Sequence, residues 1–196
     1  MTSFAIVGHL ARTDGVFSLN DLPGSGGRLD VLCRCVNASL FLSHDMRRDT
    51  DCYLILCGEP AAPKTVRFSG TAVRSLSPDE RSAAALIKKA LDLPVGSEFR
   101  EAAPGVTVRK GGLERFMTEH VFAVLDEKGG DIRSAETLPD AFILSDHLNF
   151  MDDEESLMRH CPRYSVGPAC LHADHTITVV HNELDRRRCG WKSVNR

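Results

Sequence analysis

The amino-acid sequence predicts an α/β domain with a largely parallel β-sheet. Six short segments rich in apolar or β-branched residues have the composition of strands, at 4–7, 52–57, 65–68, 121–125, 142–144 and 163–166. Helical patterns lie between several of them, and strands that alternate with helices are typical of a parallel sheet. We find no internal repeat, low-complexity tract or interdomain linker, so the sequence predicts one domain over residues 1–196.

A glycine-rich turn follows the first predicted strand and leads into the first predicted helix. The turn is Gly24-Ser25-Gly26-Gly27, and after Arg28 apolar residues recur at helical spacing as far as Leu40. A helix that begins in such a turn presents free backbone N–H groups, which suit an anion such as a phosphate. Arginines in the polar segment 43–49 add paired hydrogen bonds to phosphate. The sequence therefore predicts anion-binding features at both ends of this helix.

The second predicted helix has the clearest start. Ser77 is predicted as its N-cap, with Pro78 in the first turn and Glu80 three residues later, which is the pattern of a capping box. Pro94 ends the helical spacing. Shorter helices are predicted over 113–120 and over the acidic segment 152–159.

The last predicted element has two interpretations. Residues 176–180 are strongly β-branched, so propensity alone favours a strand. As a helix, the same segment would be capped by Asp174 and would place Ile177, Val180 and Leu184 on one face. Arginines at 186–188 would then lie at the helix C-terminus, where the helix dipole favours cations.

Composition limits the classes of partner. A net charge of −3 argues against indiscriminate nucleic-acid binding, so we expect no DNA partner, but clustered arginines leave a structured RNA open. No apolar run is long enough for a membrane span, and residues 1–10 lack the pattern of a signal peptide, so we expect a cytoplasmic protein without a membrane partner. Seven cysteines, an odd number, predict reduced thiols and no disulfide framework.

Several common catalytic motifs are absent from the sequence. There is no dinucleotide-binding G-x-G-x-x-G after a strand, no phosphate-binding loop with its lysine, and no G-x-S-x-G of a hydrolase. His172, His175 and His181 do not have the H-E-x-x-H spacing of a zinc-binding helix. Cys33 and Cys35 would point to different sides of a helix, so their thiols could not bind one metal ion together. We predict no metal site.

Five strings spread over nearly the whole chain carry a family resemblance: DLPGSGGRLDVLCRC, FLSHDMRRD, SPDER with IKKAL, FILSDH and SVGPACLHADHTITVVHNELDRR. With these strings the sequence resembles the archaeal-type tRNA pseudouridine(54) N1-methyltransferases, the TrmY family of the knotted SPOUT methyltransferases. The resemblance implies a mostly parallel SPOUT-type sheet flanked by helices, a C-terminal trefoil knot and a homodimer. It also implies that residues 176–180 are helical.

The resemblance implies that S-adenosyl-L-methionine is the cofactor. In this family the cofactor occupies a pocket built from three C-terminal loops, which match residues 125–130, 145–150 and 165–171 here. Each follows a predicted strand, and open α/β sheets bind ligands at the carboxyl ends of their strands. Glycines 129, 130 and 167 would let the backbone approach adenine and ribose. The cofactor contacts expected in this way are Leu125, Ser145, Ser165, Val166, Gly167, Leu171 and Cys189.

The chemistry implied by the resemblance is an in-line methyl transfer, for which alignment and desolvation carry most of the rate. The N1–H of pseudouridine is a weak acid, so Asp45 or His44 could act as base while Arg34 or Arg47 stabilises the anion. An aspartate flanked by arginines is a poor base, which favours orientation by arginine over strong proton abstraction. We expect RNA contacts from Gly26, Arg28 and Arg48.

The sequence thus predicts an S-adenosylmethionine-dependent methyltransferase that acts on pseudouridine in the tRNA T-loop. Its homodimer would share each active site between subunits, with the glycine-rich turn and the arginines at 47–48 facing the partner's cofactor. Two alternatives stay open. One is a SPOUT methyltransferase with a different RNA target, and the other is an RNA-binding module without catalysis.

Overall fold

The fold is built on one mixed β-sheet with helices on both faces. The computed structural model describes residues 1–190. In chain order, these residues form β1 (Thr2–Gly8), α1 (Leu29–Leu40), β2 (Thr50–Leu56), β3 (Lys64–Ser69), α2 (Glu80–Leu91), β4 (Arg100–Ala103), β5 (Val106–Lys110), α3 (Leu113–Glu119), β6 (Phe122–Asp131), β7 (Ala141–Ser145), α4 (Asp152–Leu157), β8 (Arg163–Ser165) and α5 (Ala173–Arg188).

The strand order places five parallel strands together. The sheet runs β4-β5-β3-β2-β1-β7-β6-β8, and β2, β1, β7, β6 and β8 pair in parallel. Strands β3, β5 and β4 extend the sheet by antiparallel pairing. This arrangement confirms the α/β class. Because parallel strands end at the same edge, the loops after β1, β2, β6, β7 and β8 meet at one edge of the sheet, called here the carboxyl edge.

Alternating strand residues separate two buried layers. On one face, residues such as Phe4, Ile6 and Leu54 pack under α1, α2 and α5. On the other face, neighbours such as Val7 and Ile55 pack under α3 and under Met158, which directly follows α4. The alternation follows from the two-residue repeat of a β-strand, which sends successive side chains to opposite faces.

Two predicted helix caps were wrong. The second helix begins at Glu80, and Asp79, with extended backbone, accepts the N–H of Ser82 at 2.8 Å. The N–H of Ser77, the predicted cap, instead donates to the Ser82 hydroxyl. In α5 the helix begins at Ala173, so Asp174 lies in the first turn and does not cap it. There its carboxylate still interacts favourably with the helix dipole.

The segment at 176–180 is helical, as the resemblance implied. Ile177 and Val180 are fully buried. The Nε2 atom of His181 lies 3.0 Å from the Ser39 carbonyl oxygen. Packing of α5 on α1 therefore overrides the strand propensity of the β-branched residues. The single domain over 1–196 and the knot stay predictions. Within the described part of the chain, no helix has the length and apolar character that a membrane span requires.

Candidate active site

A cavity of about 470 Å³ opens at the carboxyl edge, beside the irregular middle of β6 and beyond the ends of β7 and β8. Its volume is within the range of small-molecule sites in proteins. Part of the wall is apolar, from Leu125, Leu144, Phe150, Val166 and Leu171. Ligands of open α/β sheets bind at the carboxyl ends of the strands, and the sequence analysis placed the cofactor in loops at this edge. The cavity therefore lies where both predict a ligand site.

Most of the predicted cofactor residues meet at this cavity. Leu125, Ser145, Ser165, Val166 and Leu171 all line it. Gly167 is held beside them because the Ser165 hydroxyl donates to its carbonyl oxygen at 2.9 Å, but Gly167 itself does not line the wall.

Cys189 does not reach the cavity within one chain. It is exposed at the end of α5, a helix of 16 residues and so about 24 Å long, whose first turn lines the cavity. All seven cysteines are free thiols, and Cys33, Cys35 and Cys52 are buried. Burial raises the pKa of Cys52 to about 12.

The first predicted loop, 125–130, is part of a strand. Strand β6 continues to Asp131, with an irregular register opposite β8 between Leu125 and Gly130. A Cβ atom on Gly129 would lie 2.6 Å from the Tyr164 backbone nitrogen, so this glycine permits close approach of β8 and not of a ligand. Residues 126–128 of the irregular segment line the cavity instead.

Carboxylates dominate the charge of the cavity wall. Asp126, Glu127, Asp146 and Glu155 line it, and Lys128 is the basic residue among the lining side chains of the described chain. Arg163, behind the wall, donates to Asp126 at 2.7 Å and to Glu155 at 2.6 Å, which fixes both carboxylates. A wall with this charge favours a ligand that carries positive charge.

The glycine-rich turn packs against the segment that follows β1. Gly27 has a φ of +65°, and a Cβ atom there would lie 1.8 Å from the Leu10 carbonyl oxygen. Gly26 is buried, and its carbonyl oxygen accepts the Arg12 N–H at 3.2 Å. Only glycine fits at position 27, so the turn is fixed by contacts within the protein.

Two arginines near this turn share one carboxylate. The guanidinium of Arg28 donates to Asp30 at 3.0 and 3.1 Å, and Arg34 donates to Asp30 at 3.2 Å and to Glu80 at 3.1 Å. Burial alone would raise the pKa of Asp30, but the two arginines outweigh it and lower that pKa. Both arginine side chains remain about one-third exposed. They can therefore still contact a phosphate from solvent.

The other predicted catalytic residues, Asp45 and Arg47, and the predicted RNA contact Arg48 lie at the opposite edge of the sheet. Asp45 is exposed in a turn and accepts the Met46 N–H at 2.7 Å, and Arg48 donates to the Gly70 carbonyl oxygen at 3.0 Å. Arg47 is paired with Asp185 near the end of α5. Because β2 starts at Thr50 and is seven residues long, about 20 Å of strand separates this turn from the carboxyl edge. Within one chain, the structure does not bring Asp45, Arg47 and Arg48 to the cavity.

Sequence reasoning missed a buried cluster beside the cavity. The His9 ring lies between two carboxylates, with Nδ1 2.9 Å from Asp146 and Nε2 2.9 Å from Glu154. Both His9 and Asp146 directly follow strands that are parallel neighbours, β1 and β7. Polar residues at parallel strand ends were the pattern that could have identified them. Among residues 1–190, no group of histidine, cysteine and acidic side chains is arranged to hold a metal ion.

The fold and the cavity together define an α/β protein with a candidate small-molecule site at the carboxyl edge of its sheet. The crystal structure of Archaeoglobus fulgidus Nep1 bound to S-adenosylhomocysteine superimposes with a TM-score of 0.64 and covers 96% of this chain and 99% of that chain. At 14% identity, this likeness shows the fold.

Sequence comparison gives the family. A family model described as "Putative SAM-dependent RNA methyltransferase" matches residues 1–189. The protein named tRNA (pseudouridine(54)-N(1))-methyltransferase in Methanocorpusculum labreanum is 60% identical over 95% of this chain and 98% of its own length. The protein of the same name in Methanospirillum hungatei is 57% identical over 97% of this chain and 100% of its own length. The chain belongs to the tRNA (pseudouridine(54)-N(1))-methyltransferase family, which confirms the resemblance found in the sequence.

Proposed function

We propose that this chain is an S-adenosylmethionine-dependent methyltransferase that acts on N1 of pseudouridine 54 in tRNA. The observation that carries the proposal is the apolar and acidic cavity formed by the middle of β6 and the carboxyl ends of β7 and β8. The relatives named for this activity match almost the full length of the chain, so the whole cavity lies inside the matched region.

The residues of the cavity fit S-adenosylmethionine. Leu125, Val166 and Leu171 offer an apolar wall for an adenine ring, while Asp126 and the exposed Glu127 offer carboxylates for the positive charges of the sulfonium and the amino group. When bound, the cofactor supplies a methyl group that is activated by the sulfonium. The chain's own contribution is to align the reactants and to exclude water from the apolar part of the cavity wall.

Arg28 and Arg34 are the residues that we propose for contact with the RNA backbone. They lie beside the glycine-rich turn at the carboxyl edge, and the side chain of each is about one-third exposed. Gly26 is buried in the turn, and its carbonyl oxygen accepts the Arg12 N–H. A target uridine would have to leave its stack to reach the cavity, as is usual for enzymes that modify bases.

The proposal includes a cytoplasmic homodimer of one-domain subunits. Asp45 and Arg48 would contact the RNA only when a partner subunit presents them, because they lie at the opposite edge from the cavity of their own chain. We assign Arg47 a different part, which is to hold α5 through Asp185.

The experiment uses two transcripts of one tRNA that differ at a single position. Labelled S-adenosylmethionine is incubated with the full-length protein and with tRNA that carries either pseudouridine or uridine at position 54. We expect label only in the pseudouridine tRNA, and nucleoside mass spectrometry should find it as one methyl group at N1. Equal labelling of both tRNAs, or label at another nucleotide, would point to a different RNA target. Tight tRNA binding without cofactor uptake would instead indicate a non-catalytic RNA-binding module.

A further inference from the structure

His9 occupies a buried position between three elements of the fold. It follows β1 directly, and its ring contacts Asp146, just after β7, and Glu154, in the first turn of α4. The side chains of His9, Asp146 and Glu154 are 4%, 1% and 13% exposed. The backbone N–H of His9 also donates to Asp146, at 3.1 Å, so Asp146 accepts both main-chain and ring hydrogen bonds from one residue.

The two carboxylates also organise the wall of the cavity. Asp146 accepts the N–H of Leu148 at 3.0 Å, and Glu154 accepts the N–H of Met151 at 2.9 Å. The segment between them supplies Leu148, Asn149 and Phe150 to the cavity lining. Contacts with His9 therefore fix both ends of the segment 146–154, which forms one wall of the cavity.

The backbone that follows His9 holds the glycine-rich turn. Arg12 donates its N–H to Gly26, and the Leu10 carbonyl oxygen lies against Gly27. The segment 9–12 thus contacts the cavity wall through the His9 side chain and the glycine-rich turn through its backbone. Arg28, at the end of that turn, lies close enough to Asp146 for their charges to interact.

The charges around His9 favour its protonated form. Burial opposes ionisation, but hydrogen bonds to Asp146 and Glu154 outweigh burial, so the pKa of His9 is raised above its usual 6.5. Asp146 also faces His147, at 3.1 Å, and the charge of Arg28. The thiol of Cys57 lies within electrostatic range of Asp146, Asp153 and Glu154, and burial raises its pKa to about 11. Since both ring nitrogens face carboxylates, the doubly protonated imidazolium satisfies the cluster.

We propose that His9 is a positioning residue. As an imidazolium it bridges Asp146 and Glu154, and it thereby holds the segment 146–154, one wall of the cofactor cavity, against the segment 9–12, whose backbone contacts the glycine-rich turn. This inference rests on the proposed function, since it assigns the cavity to S-adenosylmethionine and its product. His9 does not line the cavity, and it acts on the ligand only through the wall.

The bridge has a defined pH dependence. A histidine whose pKa is raised by folding keeps its stabilising contacts below its unfolded value and loses them as the pH rises through the folded value. Loss of the proton removes one of the two ring donors and leaves a carboxylate without its partner. We expect the affinity for S-adenosylhomocysteine to fall about tenfold across this titration, as for the loss of one charge-assisted hydrogen bond.

The test is calorimetric titration of the full-length protein with S-adenosylhomocysteine between pH 6.5 and 8.5. Wild type and His160→Gln, a control at an exposed histidine after α4, should bind more weakly as the pH rises. The variants His9→Asn and His9→Gln should bind about tenfold more weakly at pH 6.5, with no further loss at higher pH. The control shares any titration of the ligand itself, so only the difference from the His9 variants is used.

A second measurement follows the ring directly. Nitrogen-15 spectra of the imidazoles should show both His9 nitrogens mostly protonated at pH 6.5, and Glu154→Gln, which keeps an acceptor but removes a charge, should move that titration to lower pH. If the His9 variants bind with the affinity and pH profile of wild type, or if the His9 ring is mostly neutral at pH 6.5, the positioning role is wrong while the proposed function stands. If wild type binds no S-adenosylhomocysteine at any pH, the cofactor assignment fails as well, which is a different result.

Discussion

The guanidinium of Arg47 forms two hydrogen bonds with the carboxylate of Asp185, at 3.0 and 2.6 Å, and joins the turn after α1 to the end of α5. The Arg47 side chain is 13% exposed, so most of its surface is already covered within one chain. From the sequence, Arg47 was a candidate catalytic residue because it stands in a polar segment beside Asp45. The pairing with α5 gives it a structural task that a local sequence pattern does not reveal.

We predict that Arg47→Ala lowers stability and leaves catalysis intact. The ion pair is half exposed on the Asp185 side, so solvent screening limits the expected loss to about 1 kcal/mol in urea unfolding. Arg159→Ala, at an exposed arginine after α4, is the control and should unfold like wild type. A large drop in kcat at unchanged stability would show instead that Arg47 is a catalytic residue.

We predict that His181 weakens the fold in mild acid. Burial, together with the charge of Arg47, lowers the pKa of His181 to about 4, so the folded protein keeps this ring neutral when the unfolded chain is already protonated. The unfolded state then binds more protons, and stability falls as the pH drops below about 6.5. The expected cost is about 2 kcal/mol between pH 7 and pH 5.

The measurement is the difference in unfolding free energy between the two pH values. Wild type should lose more stability than His181→Gln, which has no titrating ring and whose amide can still donate to the Ser39 carbonyl oxygen. His9 titrates in the opposite sense but is present in both proteins, so it cancels in the comparison. Equal losses in both proteins would show that His181 is not a buried neutral base.

The apolar wall of the cavity can be tested with two leucines of similar exposure. Leu171, which lines the cavity, is 39% exposed, and Leu157, which does not line it, is 45% exposed. We predict that Leu171→Ala weakens S-adenosylhomocysteine binding about tenfold in calorimetry, because apolar contact with the ligand is lost. Leu157→Ala should bind like wild type, and both variants should melt near the wild-type temperature. Equal affinities of the two variants would remove Leu171 from the ligand wall.

The part of the fold that could be predicted from sequence is the part set by local patterns. The strands around Ile6, Leu54 and Ile143 are continuous apolar runs, which is the pattern of buried parallel strands. Strand β4 was missed because its sequence, Arg-Glu-Ala-Ala, has little strand propensity, and its pairing with β5 decides its conformation. For α5, propensity favoured a strand, and packing against α1 decided the outcome.

The candidate site divides in the same way. The family resemblance predicted three loops: the first, 125–130, is part of strand β6, while the other two follow the ends of β7 and β8 and bring Ser145, Ser165 and Leu171 to one cavity. Contacts between segments that are far apart in the sequence could not be predicted from local patterns. His9 and Asp146 are 137 positions apart, and Arg47 and Asp185 are 138 apart, so neither partner is visible from the residues around the other.

The glycine-rich turn yields the sharpest test of the fold around the site, because two glycines of the chain form a matched pair. At Gly27 the backbone is left-handed and a methyl group would overlap the Leu10 carbonyl oxygen, whereas at exposed Gly130 no atom lies within 4 Å of the added carbon. We predict that Gly27→Ala costs at least about 2 kcal/mol in urea unfolding, since it adds both backbone strain and a clash. Gly130→Ala should stay within about 0.5 kcal/mol of wild type.

Because Leu10 directly follows His9, the clash at position 27 should also displace the segment that holds the cavity wall. Gly27→Ala should therefore weaken S-adenosylhomocysteine binding even at temperatures where it remains fully folded, and wild-type affinity under those conditions would contradict a mechanical link between the turn and the cavity.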